Sequence, residues 1–104
     1  MNEYLYVLKP ARLAMLTDGP TEHEQKVVAE HFAHLQRLTE AGVMILVGRT
    51  QNTDESTMGL AIFRAEDDEA AREIMNSDPA VINGVMTATL FPYRVALMGT
   101  KHGA

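Results

Sequence analysis

The segment EHFAHLQRL, residues 30 to 38, places two histidines in a run with helical spacing. At about 100° per residue, the apolar residues around them fall on one arc, with His31 in the middle of that arc and His34 at its edge. A buried imidazole is costly unless its nitrogens find hydrogen-bonding partners. The sequence therefore predicts a polar partner for His31 elsewhere in the chain. The apolar residues of the arc are Val27, Val28, Phe32, Leu35 and Leu38.

A carboxylate is the partner that would give His31 a chemical role. A carboxylate bonded to one imidazole nitrogen fixes the tautomer and leaves the other nitrogen free to move a proton. Judged on residue type alone, a core histidine bonded to a backbone carbonyl is the more frequent arrangement. Two interpretations of His31 are open at this point, a proton-transfer group and a structural histidine.

His34 raises the question of a metal site, because it lies one helical turn after His31. Two histidines at i, i+3 can bind a metal ion, and Glu24 or Glu30 could supply a third ligand. The pair lacks the H-E-x-x-H arrangement and no second ligand cluster supports it, so we expect no metal. The edge position of His34 fits a half-buried histidine that faces solvent or the mouth of a pocket.

Composition restricts the classes of protein to which the chain can belong. Its 104 residues, 46% hydrophobic and 22% charged, suit one compact domain over residues 1–104. A net charge of −5 with scattered basic residues argues against nucleic acid as a partner. The chain has no cysteine, and it has no glycine-rich nucleotide or phosphate motif and no serine-hydrolase motif. We expect a protein that works without a cofactor.

The amino-terminal residues MNEYLYVLKP lack the basic start and long apolar stretch of a targeting segment. The longest clearly apolar run, VMILV, is far too short to span a bilayer. We therefore expect a cytoplasmic protein with no membrane partner.

Periodicity and turn residues predict six elements and a flexible tail. Thr21 and Glu24 have the spacing of a capping box, which marks the start of the first long helix, and Gly42 suits its carboxyl-terminal cap. Asp78 and Pro79 stop the second helix. The predicted elements are a strand at 3–9, a helix at 21–42, strands at 43–49 and 58–65, a helix at 66–76, a strand at 85–95 and a tail at 98–104.

The order β-α-β-β-α-β predicts an α+β fold, with two helices on one face of a four-stranded antiparallel sheet. Both faces of the strands are apolar: Leu5 and Val7 oppose Tyr4, Tyr6 and Leu8, and Met44 with Leu46 opposes Val43, Ile45 and Val47. Two helices can cover one face. We therefore expect a homodimer in which a second subunit covers the other face by sheet-on-sheet packing.

Right-handed crossovers place several polar residues at one end of this fold. Lys9, the loop at 10–20, Arg49 and Asp78 should share that end with the first half of the long helix. Asp78 or a residue beside it is then the predicted partner of His31. Arg49 could bind an anionic substrate or stabilise an enolate, or it could be a solvated strand end or an interface ion-pair partner.

Three marks, in order, make the sequence similar to the YciI-like, or YCII-related domain, proteins. They are His31 eleven residues before Gly42 in HFAHLQRLTEAG, Gly48 at the end of the apolar strand VMILVGR, and the segment DPAVINGVMTATLFPYRV. The resemblance covers nearly the whole chain. It implies a ferredoxin-like fold in small dimeric proteins akin to the dimeric α+β barrels.

The resemblance also implies a site. In that family a histidine and an aspartate are proposed as a catalytic dyad, which here would be His31 and Asp78. One group of members is known as dehydrochlorinases that act on chlorinated hydroxyhydroquinones. This chain has Ala80 where a bulky aromatic residue often follows Asp-Pro, and Arg49 where a proline is frequent. Both changes should alter the pocket and the substrate.

The first hypothesis for function is a cofactor-independent enzyme of elimination, dehydrochlorination or isomerisation type, in which His31 is the general acid/base and Asp78 orients it. We expect Arg49, His34 and Gly48 to bind the substrate. The second hypothesis is a non-catalytic dimeric binding or accessory protein, with a small ligand in an apolar pocket and a structural His–Asp pair. A third and weaker hypothesis is an oxygen-using enzyme of the related barrel type.

Overall fold

The structure is a computed structural model and describes residues 1–100. The last four residues of the predicted tail, including His102, lie outside the described residues. Within residues 1–100, no helix combines the length and the apolar character needed to cross a membrane.

A four-stranded sheet forms one layer of the protein. All neighbouring strands are antiparallel, and the order across the sheet is β2-β3-β1-β4, with β1 and β3 in the centre. Pro92 lies within β4 rather than ending it, which is possible because β4 is an edge strand. The strands are β1 Asn2–Pro10, β2 Met44–Arg49, β3 Gly59–Ala65 and β4 Met86–Tyr93.

Helices form the second layer, two of them long and two of a single turn. The predicted capping box is present, since Thr21 Oγ1 accepts from the Glu24 amide and Glu24 Oε1 accepts from the Thr21 amide. The second long helix begins later than predicted, because Asp67 caps it by accepting from the Ala70 amide. The helices are α1 Ala14–Thr17, α2 Glu22–Glu40, α3 Asp68–Asn76 and α4 Pro79–Ile82.

The prediction of an α+β domain with a four-stranded antiparallel sheet is confirmed. The order of strands and long helices is that of the split βαβ arrangement and is compatible with a ferredoxin-like fold. The two single-turn helices were not predicted, because four residues carry too little periodicity to be distinguished from a turn.

The core lies between the sheet and the helices. Tyr4, Tyr6 and Leu8 project from β1 toward the helices, and all three are almost fully buried. Phe63 on β3 packs beside the two tyrosines, with ring centroids 5.9 Å from Tyr4 and 5.6 Å from Tyr6. A second cluster, Met15, Val27, Ala80 and Val85, joins the helices α1, α2 and α4.

A β-bulge at Ile45 changes which side chains of β2 face the helices. Met44 pairs with Phe63, but the next pair is Leu46 with Ile62, so Ile45 is an extra residue. The prediction that Met44 and Leu46 share a face is therefore wrong. Leu46 projects to the outer face of the sheet and is 52% exposed. In a regularly alternating strand, Met44 and Leu46 would lie on the same face of the sheet. The inserted residue moves Leu46 and each residue after it in β2 to the opposite face.

The face of the sheet away from the helices is apolar, as predicted. Leu5, Ile62 and Leu46 pair across three strands on this face, and Phe91 pairs with Leu5 on the fourth. Phe91 is 45% exposed, and Leu5 and Ile62 are partly exposed. This outer face is the surface that the sequence assigns to a second subunit.

Candidate functional site

His31 and Asp78 form a hydrogen-bonded pair where the long helix α2 packs against the start of the short helix α4. His31 lies near the middle of α2, and Asp78 is the second of the two residues between α3 and α4, directly before α4. Nδ1 of His31 is 2.6 Å from Oδ1 of Asp78. The Asp78 side chain has no solvent exposure, and that of His31 has 13%. The predicted contact between the two residues therefore exists in the structure.

Asp78 accepts three hydrogen bonds. Its Oδ1 accepts from His31 Nδ1 and from the Ala80 amide at 2.9 Å, and its Oδ2 accepts from the Tyr6 hydroxyl at 2.8 Å. The Ala80 contact is a helix amino-terminal cap, with Pro79 at the first position of α4. An ionised carboxylate can only accept, so the neutral His31 ring carries its proton on Nδ1.

Opposing effects act on the pKa of Asp78. Burial raises the pKa, but the hydrogen bond and charge of His31, with the donors from Ala80 and Tyr6, outweigh burial and hold it below its ordinary value. Burial, followed by the charge and hydrogen bond of Asp78, raises the pKa of the Tyr6 hydroxyl far above its ordinary value. The site therefore holds an ionised carboxylate beside a neutral phenol at physiological pH.

A pocket of about 830 Å³ lies between α2, the strands β2 and β3, and the loop that contains α1. His31 lines it from α2, while Asp78 lies behind His31 and does not reach it. Nε2 of His31 has no hydrogen-bond partner in residues 1–100, and it is not one of their buried unpaired atoms. The nitrogen that Asp78 leaves free is therefore accessible, and it belongs to a side chain that lines the pocket.

Two further predicted residues line this pocket, Gly48 and Arg49. Arg49 pairs with Gly59 on β3, and Gly59 pairs with Leu8, whose side chain faces the helices. The bulge at Ile45 thus places Arg49 on the helix side of the sheet. The structure brings His31, Gly48 and Arg49 to one cavity, with Asp78 as the support of His31.

His34 does not line the pocket. Its Nε2 is buried and has no hydrogen-bond partner in residues 1–100. His34 lies one helical turn after His31 along α2. It lies two turns after Val27, on the same side of the helix as that buried residue. No three histidine, aspartate or glutamate side chains within the described residues come together as metal ligands.

Phe32 occupies the rim of the pocket rather than the core. The helical arc predicted it among the buried residues, but it is 67% exposed and lines the cavity. Val27 and Leu35 of the same arc are 3% exposed, as predicted. Phe32 therefore borders the cavity at the place where the arc predicted core.

The loop before α2 forms one wall of the pocket and is held in place by an ion pair. Arg12 Nε donates to Glu24 Oε2 at 3.0 Å, and a second guanidinium nitrogen of Arg12 donates to Oε1. The Arg12 hydrogen bond, with the Thr21 amide, lowers the pKa of Glu24 to about 2. The Ala11 amide also donates to the Val85 carbonyl at 2.9 Å. Met15 and Leu16 of α1 thereby reach the cavity.

Tyr6 is a site residue that the sequence did not identify. Its ring lies in the core, and its hydroxyl donates to Asp78. One signal was present, since the hydroxyl of a buried tyrosine ordinarily requires a partner. Its alternation with Tyr4 and Leu8 shows the face on which it lies but does not specify the partner.

The chain was compared with curated proteins and with solved structures. No curated protein matches it. Among solved structures, it is similar to 5-chloro-2-hydroxyhydroquinone dehydrochlorinase (TftG) from Burkholderia phenoliruptrix AC1100, in complex with 2,5-dihydroxybenzoquinone. The identity is 16% and the TM-score 0.62, over 88% of this chain and 93% of that chain. At this identity the likeness concerns the fold.

The family comparison covers most of the sequence. The family described as the YCII-related domain matches residues 4–92, a span that includes β2 and β3 whole, β1 from Tyr4 and β4 up to Pro92. The match also contains His31 and Asp78 and therefore the whole hydrogen-bonded pair. The three motifs that carry the resemblance, around His31, Gly48 and Asp78, all lie within this span. The chain belongs to the YCII-related domain family.

Proposed function

We propose that the protein is a cofactor-independent enzyme that moves a proton on a small-molecule substrate, with His31 as general acid/base. The observation that carries this proposal is the orientation of His31. A fully buried carboxylate fixes Nδ1 at 2.6 Å, and Nε2 is accessible on a side chain that lines the pocket. A histidine held in one tautomer with one free nitrogen has the arrangement of a general base.

The chemistry follows from this orientation. Nε2 takes a proton from a hydroxyl or an acidic C–H of the bound substrate. The electron pair of a C–H bond then forms an enolate, and that of a hydroxyl stays on its oxygen as a phenolate or enolate. In an elimination the pair forms a new π bond as the C–Cl bond breaks and chloride leaves. The negative charge of Asp78 stabilises the imidazolium that results, since Nδ1 keeps its proton and its hydrogen bond. In an isomerisation, Nε2 returns the proton to another atom of the substrate.

Arg49 is the residue we assign to the substrate's anionic oxygen, and Gly48 forms the wall beside it. Guanidinium groups favour carboxylate, phenolate and enolate oxygens. The name of the structural relative, a dehydrochlorinase of a hydroxylated ring, supports elimination as the reaction type. We assign no contact with substrate to His34, since it does not line the pocket.

A panel of enolisable and phenolic compounds tests the proposal, with chlorinated hydroxyhydroquinones included. Proton NMR in D₂O would follow deuterium incorporation, and chloride release would be measured in parallel. The variants are His31→Ala and Asp78→Asn, and the control is His23→Ala, an exposed histidine on the same helix. We expect the control to keep the wild-type rate, with losses of about 10²-fold or more in the two site variants.

The alternative is the binding protein, in which the His–Asp pair is structural. It predicts that no compound of the panel turns over and that Asp78→Asn lowers the unfolding temperature. If His31→Ala retained wild-type turnover of an active compound, the role assigned to His31 would be refuted. Circular dichroism on each variant shows whether a lost activity reflects unfolding.

We also propose that the protein is a homodimer joined through the outer face of the sheet. The apolar residues that pair across this face support it, because a monomer would expose them together. Light scattering on Leu46→Asp is the test, with Ile82→Asp as the control, since Ile82 is 66% exposed but lies on α4. The wild type and the control should be dimers, and Leu46→Asp should be monomeric. A monomeric wild type at micromolar concentration would refute the assembly.

A further inference from the structure

The charge in the pocket is of one sign. Among the described residues that line it, Arg49 carries the one permanent charge, and no aspartate or glutamate is present. Within residues 1–100, no carboxylate lies within ion-pair distance of Arg49. Although the net charge of the protein is −5, an anion in this cavity would contact the guanidinium of Arg49 and no carboxylate. Because one guanidinium can balance one negative charge, a monoanion fits this pocket.

The remaining walls are mostly apolar. Gln25 and Thr57 are the polar side chains besides His31 and Arg49, and Thr57 is itself 5% exposed with its hydroxyl facing that of Thr50. A sugar or another polyol would lose its hydration here and find few partners. Apolar surface would gain by burial against the walls. The apolar walls include Met15, Leu16, Val28, Phe32, Val47 and Met86.

The size of the pocket bears on the size of the ligand. At about 830 Å³, it lies in the upper part of the range of roughly 300–1,000 Å³ that holds drug-sized molecules. A single benzene ring would leave most of the wall uncovered. The exposed ring of Phe32 at the rim offers a further apolar surface to a longer ligand.

We infer that the pocket binds an amphipathic monoanion whose apolar body is larger than one benzene ring. Its anionic group pairs with Arg49, and its body lies along α2 between α1 and β2. This inference rests on the proposed function, since it takes the pocket beside His31 as the ligand site. It adds the substrate class, which neither the hydrogen-bonded pair nor the family specifies.

Three probes separate charge from size. 4-Phenylbenzoate has the charge and two rings, benzoate has the charge and one ring, and 4-biphenylmethanol has two rings and no charge. Calorimetry at about 0.15 M salt would compare their affinities, so that weak surface attraction is screened. We expect 4-phenylbenzoate to bind about tenfold or more tightly than either other probe, because each lacks one of the two interactions.

Two variants test whether the preference for a charged ligand depends on Arg49. Arg49→Gln should bind 4-phenylbenzoate and 4-biphenylmethanol equally, and the control Arg94→Gln, an exposed arginine outside the pocket, should retain the wild-type preference. If the proposed reaction fails but this pattern holds, the inference stands without the enzyme. Equal affinity of benzoate and 4-phenylbenzoate, a charge preference that survives Arg49→Gln, or no binding of any probe would overturn it.

Discussion

Tyr6→Phe removes one hydroxyl and tests whether the Asp78 carboxylate depends on its buried donors. The Tyr6 hydroxyl donates to Oδ2 at 2.8 Å, and both side chains are fully buried. No other donor to Oδ2 lies within residues 1–100. Because both groups are buried, water cannot readily replace the lost bond. A hydrogen bond to a charged group contributes about 1.5–3 kcal/mol, and we expect a loss of about 2 kcal/mol in the free energy of unfolding at pH 7. A small domain with about 5–15 kcal/mol of stability should remain folded.

Tyr4→Phe is the matched control. Tyr4 lies two residues away on the same face of β1, and its hydroxyl donates to Asp68 Oδ1 at the same distance of 2.8 Å. Asp68 is exposed, however, so solvent can take the place of the lost donor. The control should therefore lose clearly less stability than Tyr6→Phe in urea unfolding followed by circular dichroism.

The effect of Tyr6→Phe should also depend on pH. The pKa of Asp78 in the folded state lies below its ordinary value, which is that of the unfolded state. At a pH between these two pKa values the unfolded state binds more protons, so the free energy of unfolding rises with pH in that range. This stabilisation is complete above about pH 3.9 and is lost as the pH falls through the folded pKa. The difference between the wild type and Tyr6→Phe should shrink on acidification, since a protonated Asp78 no longer needs a charge-assisted bond. Equal losses in Tyr6→Phe and Tyr4→Phe, or a difference independent of pH, would refute the reasoning.

Three more predictions concern the same site and its walls. In ¹⁵N NMR, the neutral His31 ring should be the Nδ1–H tautomer, and Asp78→Asn should convert part of it to Nε2–H because a neutral amide oxygen is a weaker acceptor; an unchanged tautomer would show that the charge of Asp78 does not set it. The Glu24 pKa of about 2 against an ordinary 4.5 means that this residue's stabilisation is lost as the pH falls from about 4.5 to 2. The melting-temperature gap between the wild type and Glu24→Gln should therefore close over that range, whereas a constant gap would argue against the Arg12 pair. Phe32→Ser should change the unfolding free energy by less than about 1 kcal/mol, since Phe32 is 67% exposed, and a larger loss in urea unfolding would place its ring in the core.

Most of the fold could be predicted because its signals are local. The capping box at Thr21 and the alternation of Tyr4, Tyr6 and Leu8 each depend on a few adjacent residues, and both were read correctly. The bulge at Ile45 could not be predicted, because it depends on how β2 meets β3 and leaves no mark in an unbroken apolar run. Its consequence was large, since it reversed the faces assigned to Leu46 and Val47.

The site could be predicted to the level of which end of the fold it occupies. The handedness of the crossovers predicted that Asp78 lies near His31, and in the structure the two residues share a hydrogen bond. The exclusion of His34 from the pocket was not foreseen, because an angular position on a helix does not reveal which neighbour covers that flank. The third partner of the site, Tyr6, was missed for a related reason: a hydroxyl at the end of a long core side chain has a reach that periodicity does not describe.

Asp78 links the stability of the fold to the chemistry of the site. Its Oδ1 caps α4 through the Ala80 amide and also accepts from His31, so one oxygen serves both a helix end and a catalytic candidate. Removing the side chain would therefore confuse a loss of folding with a loss of function. Asparagine keeps an oxygen for the cap and for His31, and the Tyr6 hydroxyl can rotate to accept from its amide. Asp78→Asn consequently removes the negative charge with the least change to the hydrogen bonds, which makes it the variant that separates the enzyme from the structural interpretation.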